Sequence, residues 1–376
     1  MHACLTVTPS AGWAGISPLG KAGRGRQMCG ENRHCKLHQT EQKLYYRDKM
    51  GFELKNKADN QVLHRNDLSG ADFNSDTLVE NTIDINLPFA EARMRQWYFD
   101  GIRMGYSNWH YNEPIEMEWK GDLDMVTLFF NIKGKTTINN PHFDKPFELG
   151  KYQHNLFYSP TGEGTLKNDE LYINSFLVQF TKDAFLRITE GADDALKRFG
   201  DNVMNGKAVA LSPTSLFMDI DMLNGINAVV DCKYQSGLKK MFLLSKSIEL
   251  LVSQAGAYNR AKDSGPKFLK TEYDKERIIY AREILIRRMD RPPGLSELAK
   301  AAGINEYKLK KGFKETFGNT VFGYLAETRL ELAKNDLLEK KKSVSEIAFE
   351  LGYSSVQHFS NAFKKKFGIS PGKLGK

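Results

Sequence analysis

The chain has 376 residues, more than one folded unit usually holds, so two or three domains are the starting expectation. At 41% hydrophobic and 27% charged it can build cores, which excludes a wholly disordered protein, and no run approaches the roughly 18 apolar residues of a membrane helix. Its net charge of +8 is uneven: residues 270–376 hold 22 Lys+Arg against 14 Asp+Glu, as positive as the whole chain, which points to a polyanion partner for that segment.

Residues 1–75 are rich in Gly, Ser, Asn and charge without a sustained period of 2 or 3.6, and read as a poorly ordered leader. They have no charged segment followed by an apolar stretch of signal-peptide type, so a cytoplasmic protein is expected. Three of the four cysteines lie in this leader, which is not the framework of a disulfide scaffold. Cys29, His34, Cys35 and His38 offer zinc-type ligands, but their spacing matches no familiar finger and no metal site is assigned.

A separate domain is expected over 76–260, its β part over 76–210. Short β-rich runs at 93–99, 125–132, 155–158 and 171–180 are punctuated by Gly134, Gly150 and the turn-rich 159–164, the rhythm of a barrel or sandwich. The interior of such a barrel is either filled by side chains or holds one small ligand. Catalysis is not written there: His110, His142 and His154 are isolated, and H-x-H, G-x-S-x-G, P-loop and H-E-x-x-H patterns are absent. No catalytic residue, metal site or cofactor is assigned.

Over 212–260 the apolar period becomes helical. Leu216, Ile220, Leu223, Ile226, Ala228 and Val230 form one stripe; Leu238, Met241, Leu244, Ile248, Leu251 and Val252 form another. These stripes must be buried either against the barrel or in a homodimer. Residues 261–270 read as a linker, with Gly265 and Pro266 stopping the preceding helix.

The segment 271–376 contains a duplication. LSELAKAAGI (295–304) aligns with VSEIAFELGY (344–353) at an offset of 49, and Leu309, Phe313 and Phe317 align with Phe359, Phe363 and Phe367 at an offset of 50. Each copy carries the physics of a helix-turn-helix. Ser343 and Glu346 spell a capping box, Ala299 and Ala348 are small where two helices cross, and Gly303 and Gly352 close the first helix. Asn305 or Ser354 is expected to cap the second helix. Opposite the Leu/Phe anchors lie Tyr307, Lys308, Lys310, Lys311 and Lys314 in one copy and Gln357, His358, Ser360, Asn361 and Lys364 in the other. Such side chains reach base edges and phosphates in a major groove.

With those residues in view, 273–372 resembles the DNA-binding domain of AraC-type transcription regulators. The match is carried by IAFELGYSSVQHFSNAFKKKFGISP (347–371) and by the helix 321–339 with Arg329, Ala333, Leu337 and Leu338. The resemblance implies an α+β, multidomain chain: a cupin-like β-barrel or sandwich with two appended helices, then an all-α domain. That domain would hold helix-turn-helix units at 295–317 and 344–367 on a linker helix at 321–339. Base-facing residues would be Asn305, Tyr307, Lys310, Lys311, Val356, Gln357, Ser360 and Asn361, with phosphates met by Lys308, His358 and Lys364. Asn361 stands where the family commonly has Arg. Gly312 inside the first recognition helix reads as a cost of about 0.5–1 kcal/mol and so as a more adaptable helix.

More weakly, HNLFYSP (154–160) and LSKSIELL (244–251) resemble the siderophore-responsive subgroup. The implied partners are double-stranded promoter DNA, RNA polymerase and a small-molecule effector such as a siderophore-like chelate, in an activator. The rivals are a barrel-type metal-dependent enzyme with a DNA-binding tail and a non-specific architectural DNA binder.

Overall fold

A computed structural model describes residues 52–66, 75–121, 124–192, 194–264, 268–339 and 342–374, all within one compact unit. Cys29, His34, Cys35 and His38 lie outside them.

Fourteen strands among these residues form two antiparallel sheets. The first, in spatial order, is β2(Val62–Asn66), β1(Phe52–Asn56), β6(Ile115–Gly121), β11(Gly162–Asn168), β8(Thr136–Asn139) and β9(Phe147–Leu149). The second is β13(Val209–Ala210), β10(Gln153–Ser159), β7(Met125–Lys133), β12(Tyr172–Thr181), β5(Ile102–Tyr111), β4(Ala90–Phe99) and β3(Val79–Leu87), with β14(Leu216–Phe217) beside β10. The sheets face each other as a sandwich. Alternation along β4 sends Ala92 and Met94 into the space between the sheets, and Trp97 and Phe99 to the opposite face.

That opposite face is covered by helices. Helix α1(Lys182–Ile188), α2(Asp194–Met204), α3(Ile220–Val230) and α4(Ser236–Ser264) bury Phe185, Phe199, Met222, Leu243 and Leu250 with Trp97, Phe130 and Phe176 in one core. Asp219 caps α3 by accepting the Met222 N–H at 3.0 Å.

Three sequence expectations need correction. Strands begin at Phe52, inside the segment read as leader, because β1 gains its order by pairing with β6, and five-residue runs are too short to show a period. Residues 216–217 are strand rather than the start of a helix. Residues 261–264, read as linker, belong to α4, whose Arg260 reaches back to the Asp219 carboxylate at 2.8 Å and ties this end of the helix to the cap of α3.

Helix α4 uses two stripes. Leu243, Leu250, Leu251 and Ala255 are buried against the sandwich, whereas Leu238, Met241, Ile248 and Val252 are exposed, Met241 at 68%. The single face read from the sequence is thus divided between two directions.

The remaining helices are α5(Glu272–Arg287), α6(Leu295–Ala302), α7(Glu306–Phe317), α8(Val321–Glu339), α9(Val344–Glu350), α10(Val356–Phe367) and α11(Pro371–Leu374). No helix among the described residues is long and apolar enough to cross a membrane.

Candidate nucleic-acid interface

In the first repeat, Gly303 adopts a left-handed conformation (φ 68°), which breaks the chain out of α6 after one hydrogen-bonded turn, Ile304 N–H to Ala299 C=O at 3.0 Å. Asn305 then caps α7 by accepting the Lys308 N–H at 2.7 Å. Leu298, Ala299, Ala302, Leu309, Phe313 and Phe317 are buried on α5 residues Ile278, Ala281 and Leu285 and on the first turns of α8, at Tyr324 and Leu325.

The second repeat follows the same plan with one residue more in its turn. Ser343 and Glu346 form a complete capping box: Ser343 Oγ accepts the Glu346 N–H, and the Glu346 carboxylate accepts the Ser343 N–H at 2.7 Å. These hydrogen bonds, the backbone one first, hold the Glu346 carboxyl below its ordinary range. Gly352 (φ 76°) makes the turn, and Ser355, not Ser354, caps α10 by accepting the His358 N–H at 3.2 Å. The 50-residue offset of the second helices maps Asn305 onto Ser355; following the 49-residue offset of the first helices through the turn pointed one residue short. Ser354 instead pairs with His358 Nδ1 at 3.2 Å. Ile347, Ala348, Leu351, Phe359 and Phe363 are buried on Leu330, Ala333 and Leu337, the later turns of α8.

Helix α8 thus carries one unit on each half of its length, about 28 Å at 1.5 Å per residue. Arg329 joins the halves: its guanidinium donates to the Met289 carbonyl, Nε at 3.0 Å, and lies 5.7 Å from the Tyr353 ring.

The residues singled out from the sequence divide into three groups. Tyr307, Lys310, Lys311, Lys314, Gln357, His358, Asn361 and Lys364 are exposed, Tyr307 at 62%. Their mutual contacts are local: Lys310 pairs with Glu306 at 2.7 Å, Lys311 lies 5.7 Å from the Phe268 ring, and Gln357 donates to Asn361 Oδ1 at 3.3 Å. Asn305 and Lys308 are engaged internally. Lys308 Nζ grips both Asp274 oxygens, at 2.8 and 2.9 Å, and that hydrogen bond is the main reason the Asp274 carboxyl sits below its usual range. Val356 leans into the α10 core and Ser360 is half-buried.

Gly312 is a packing requirement, not a source of adaptability. It is buried, and a Cβ there would stand 2.6 Å from Leu269 Cδ2 and 3.1 Å from Ile278 Cδ1, so α7 approaches α5 as closely as it does only because the side chain is missing. Beyond the second unit, residues 371–374 form α11, with Pro371 buried and Leu374 packed on the α8–α10 core.

One contact set had a sequence signal that pattern reading passed over: a charge on the apolar stripe of α5. Arg282, flanked there by Ile278, Ala281 and Leu285, donates to the Tyr324 hydroxyl and lies 4.1 Å from the Tyr152 ring. Tyr152 belongs to the sandwich and is held at φ 58°, with its carbonyl accepting the Met218 N–H at 2.8 Å. Beside it Lys151 pairs with Glu283, and Ile220 of α3 enters the core of the first unit. The first unit is therefore seated directly on the sandwich.

Residues 298–376 match the family described as Helix-turn-helix domain. Over 83 residues the chain is 31% identical to the regulatory protein SoxS of Escherichia coli K12, a match covering 22% of this chain and 78% of SoxS. The chain belongs to the AraC-type regulators. It is also 36% identical over 116 residues to the regulatory protein PchR of Pseudomonas aeruginosa, covering 31% of this chain but only 39% of PchR, so the AraC-type likeness to that relative spans well under half of its length. A solved AraC-type transcriptional regulator from Chromobacterium violaceum aligns with 28% of this chain and 94% of its own, at 25% identity and a TM-score of 0.26. Among the described residues no three His, Cys, Asp or Glu side chains gather as a metal site.

Proposed function

We propose that the chain is a sequence-specific, ligand-responsive activator of transcription, in which the sandwich senses a small molecule, α4 dimerises, and residues 271–376 bind promoter DNA. The observation that carries this is the pair of capped recognition helices on one rigid α8, each with its Leu/Phe row buried and its polar row exposed. The roughly 28 Å length of α8 is commensurate with the about 34 Å turn of B-DNA, so two units on one helix suit successive major-groove segments. The exposed amides Gln357 and Asn361 suit adenine, and the lysines of α7 suit phosphate or guanine.

The exposed stripe Leu238, Met241, Ile248 and Val252 supports a homodimer through α4, since its steps of three, seven and four place it on one side, as a helix-pair seam requires. Substituting Met241→Lys and Val252→Lys is expected to yield a monomer by sedimentation equilibrium.

The first test is binding of the purified chain to its own upstream DNA against a random duplex at about 150 mM salt. A ratio of about a thousand or more is expected for a specific regulator. Equal binding to both would leave only the electrostatic attraction of the basic segment and favour the architectural alternative.

A further inference from the structure

Between the two sheets lies a cavity of about 240 Å³. Its wall is mainly aromatic and aliphatic, including Trp109, Trp119, Phe129, Phe157, Met94 and Leu177. One residue does not belong to such a wall. Arg103 lines the cavity from β5; among the described residues it forms no ion pair, Nη1 donates to the neutral Gln179 amide oxygen at 2.6 Å, and Nε is buried without an acceptor.

A guanidinium enclosed beside apolar surface loses hydration that an amide oxygen only partly replaces, and buried charges are ordinarily paired. Among the described residues that line the cavity none is a carboxylate; they hold the fork in place. Gln179 is itself fixed by donating to Thr127 Oγ1 at 3.1 Å, and on the same stretch of wall Gln96 accepts from the Tyr98 hydroxyl. On the facing sheet His64 is kept below its ordinary pKa, first by burial and then by the Arg103 charge, so it reinforces no negative centre there. Small residues open the space beside this group: Gly105 allows Leu177 to lie across β5 at 3.3 Å from where a Cβ would be, and Ser107 pairs with Ser175 at 2.9 Å.

We propose that the cavity binds a small organic acid with a flat apolar body, its carboxylate held by Arg103 and its body packed among the aromatic rings. Arg presents parallel N–H donors that match a carboxylate, and the cavity lies below the about 300–1,000 Å³ of drug-sized sites, which favours a compact ligand. This rests on the reading of the sandwich as the sensing half and gives that reading a ligand class.

The test titrates the full chain with benzoate and phenylacetate and with the neutral benzamide and phenylacetamide, following tryptophan fluorescence, to which Trp109 and Trp119 contribute from the cavity wall, and thermal stability. The acids are expected to bind at least tenfold tighter than the amides. Arg103→Gln is expected to erase that preference while leaving binding to a random duplex unchanged, and Arg103→Lys to retain part of it. Amides binding as tightly as acids, an unaltered preference in Arg103→Gln, or no binding of any of the four would overturn the proposal; the acid-against-amide comparison needs no variant and so survives a misfolded one. Acid binding that leaves promoter affinity unchanged would keep the ligand assignment and refute the sensing reading instead.

Discussion

The two helix-turn-helix units share a sequence plan and differ in what they lean on. The first is seated on the sandwich through Arg282, Tyr152, Lys151–Glu283 and Ile220, and one lysine of its recognition helix is drawn inward to Asp274. The second is built on α8, closed by its own capping box and by α11, and its recognition helix keeps Gln357, Asn361, Lys364 and Lys365 exposed. A duplicated motif therefore supplies one unit that rests directly on the sandwich and one that rests on the later turns of α8 and on the Met289–Asp290 turn. A signal from the sandwich would reach DNA through the first unit.

The largest expected contrast lies in the turns. Gly352→Ala would force a left-handed alanine and drive its Cβ into the Asp290 carbonyl and to 2.6 Å from Arg329 Nη2, so a loss of about 3 kcal/mol or more is expected, with unfolding of the second unit. Gly303→Ala has the same backbone demand, but its nearest neighbours stand at 3.7 Å, and about 1–2 kcal/mol is expected. Chemical denaturation of both variants checks this; equal losses would show that the second turn yields as easily as the first.

Next come the recognition faces. Gln357→Ala with Asn361→Ala is expected to cost about 1–3 kcal/mol per lost base contact on the specific site and little on random DNA. Lys310→Ala with Lys311→Ala, a pair offering positive charge, is expected to weaken promoter and random DNA together and to flatten the salt dependence by up to about two phosphate equivalents. Fluorescence anisotropy over a salt series separates the two patterns, and identical patterns would refute the division of labour.

A last prediction, spread over several pH units, concerns the seat of the first unit. His154, fully buried against Phe130 beside the β14 strand, is held at about 3 by burial and then by the Arg260 charge. Its folded pKa lies below the unfolded value of about 6.5, so the unfolded chain binds the proton more tightly; stability is intact above pH 6.5 and falls by up to about 1.4 kcal/mol per pH unit from there toward pH 3. Denaturation midpoints across this window should lose that slope in His154→Gln. The region concerned holds the Arg260–Asp219 pair under α3, so amide exchange is expected to rise in the first unit before the second as pH falls.

The legibility of these parts follows the range of the forces that made them. Helices α6 to α10 were readable because 3.6-residue periodicity, capping pairs such as Ser343–Glu346 and left-handed glycines are local, and the duplication displayed each twice. Four strands were legible for the same reason, whereas β1 and β2 were not, since five-residue strands are too short to show a period, and β1 owes its order to β6, some sixty residues away, and β2 to β1. The candidate contacts were legible as a set of polar positions but not individually: that Lys308 answers Asp274 and that Val356 turns inward depends on neighbours the sequence does not place adjacent, whereas the Ser355 cap is local and follows from the 50-residue offset.

By itself, then, the sequence determined the two-unit DNA-binding segment, its charge and the exposed polar rows, because these are set by periodicity and composition within a few turns of chain. Only the tertiary structure decided that Gly312 is a point of close approach, that α4 divides its apolar residues between the sandwich and solvent, and that Arg282 and Arg103 occupy interior positions of opposite kind. Arg282 is matched by tyrosines from two parts of the chain, while Arg103, among the described residues, lines a cavity without an ion-pair partner. Burial and pairing across long sequence separations are properties of the packed molecule, and they fix which interior charge is partnered and by what.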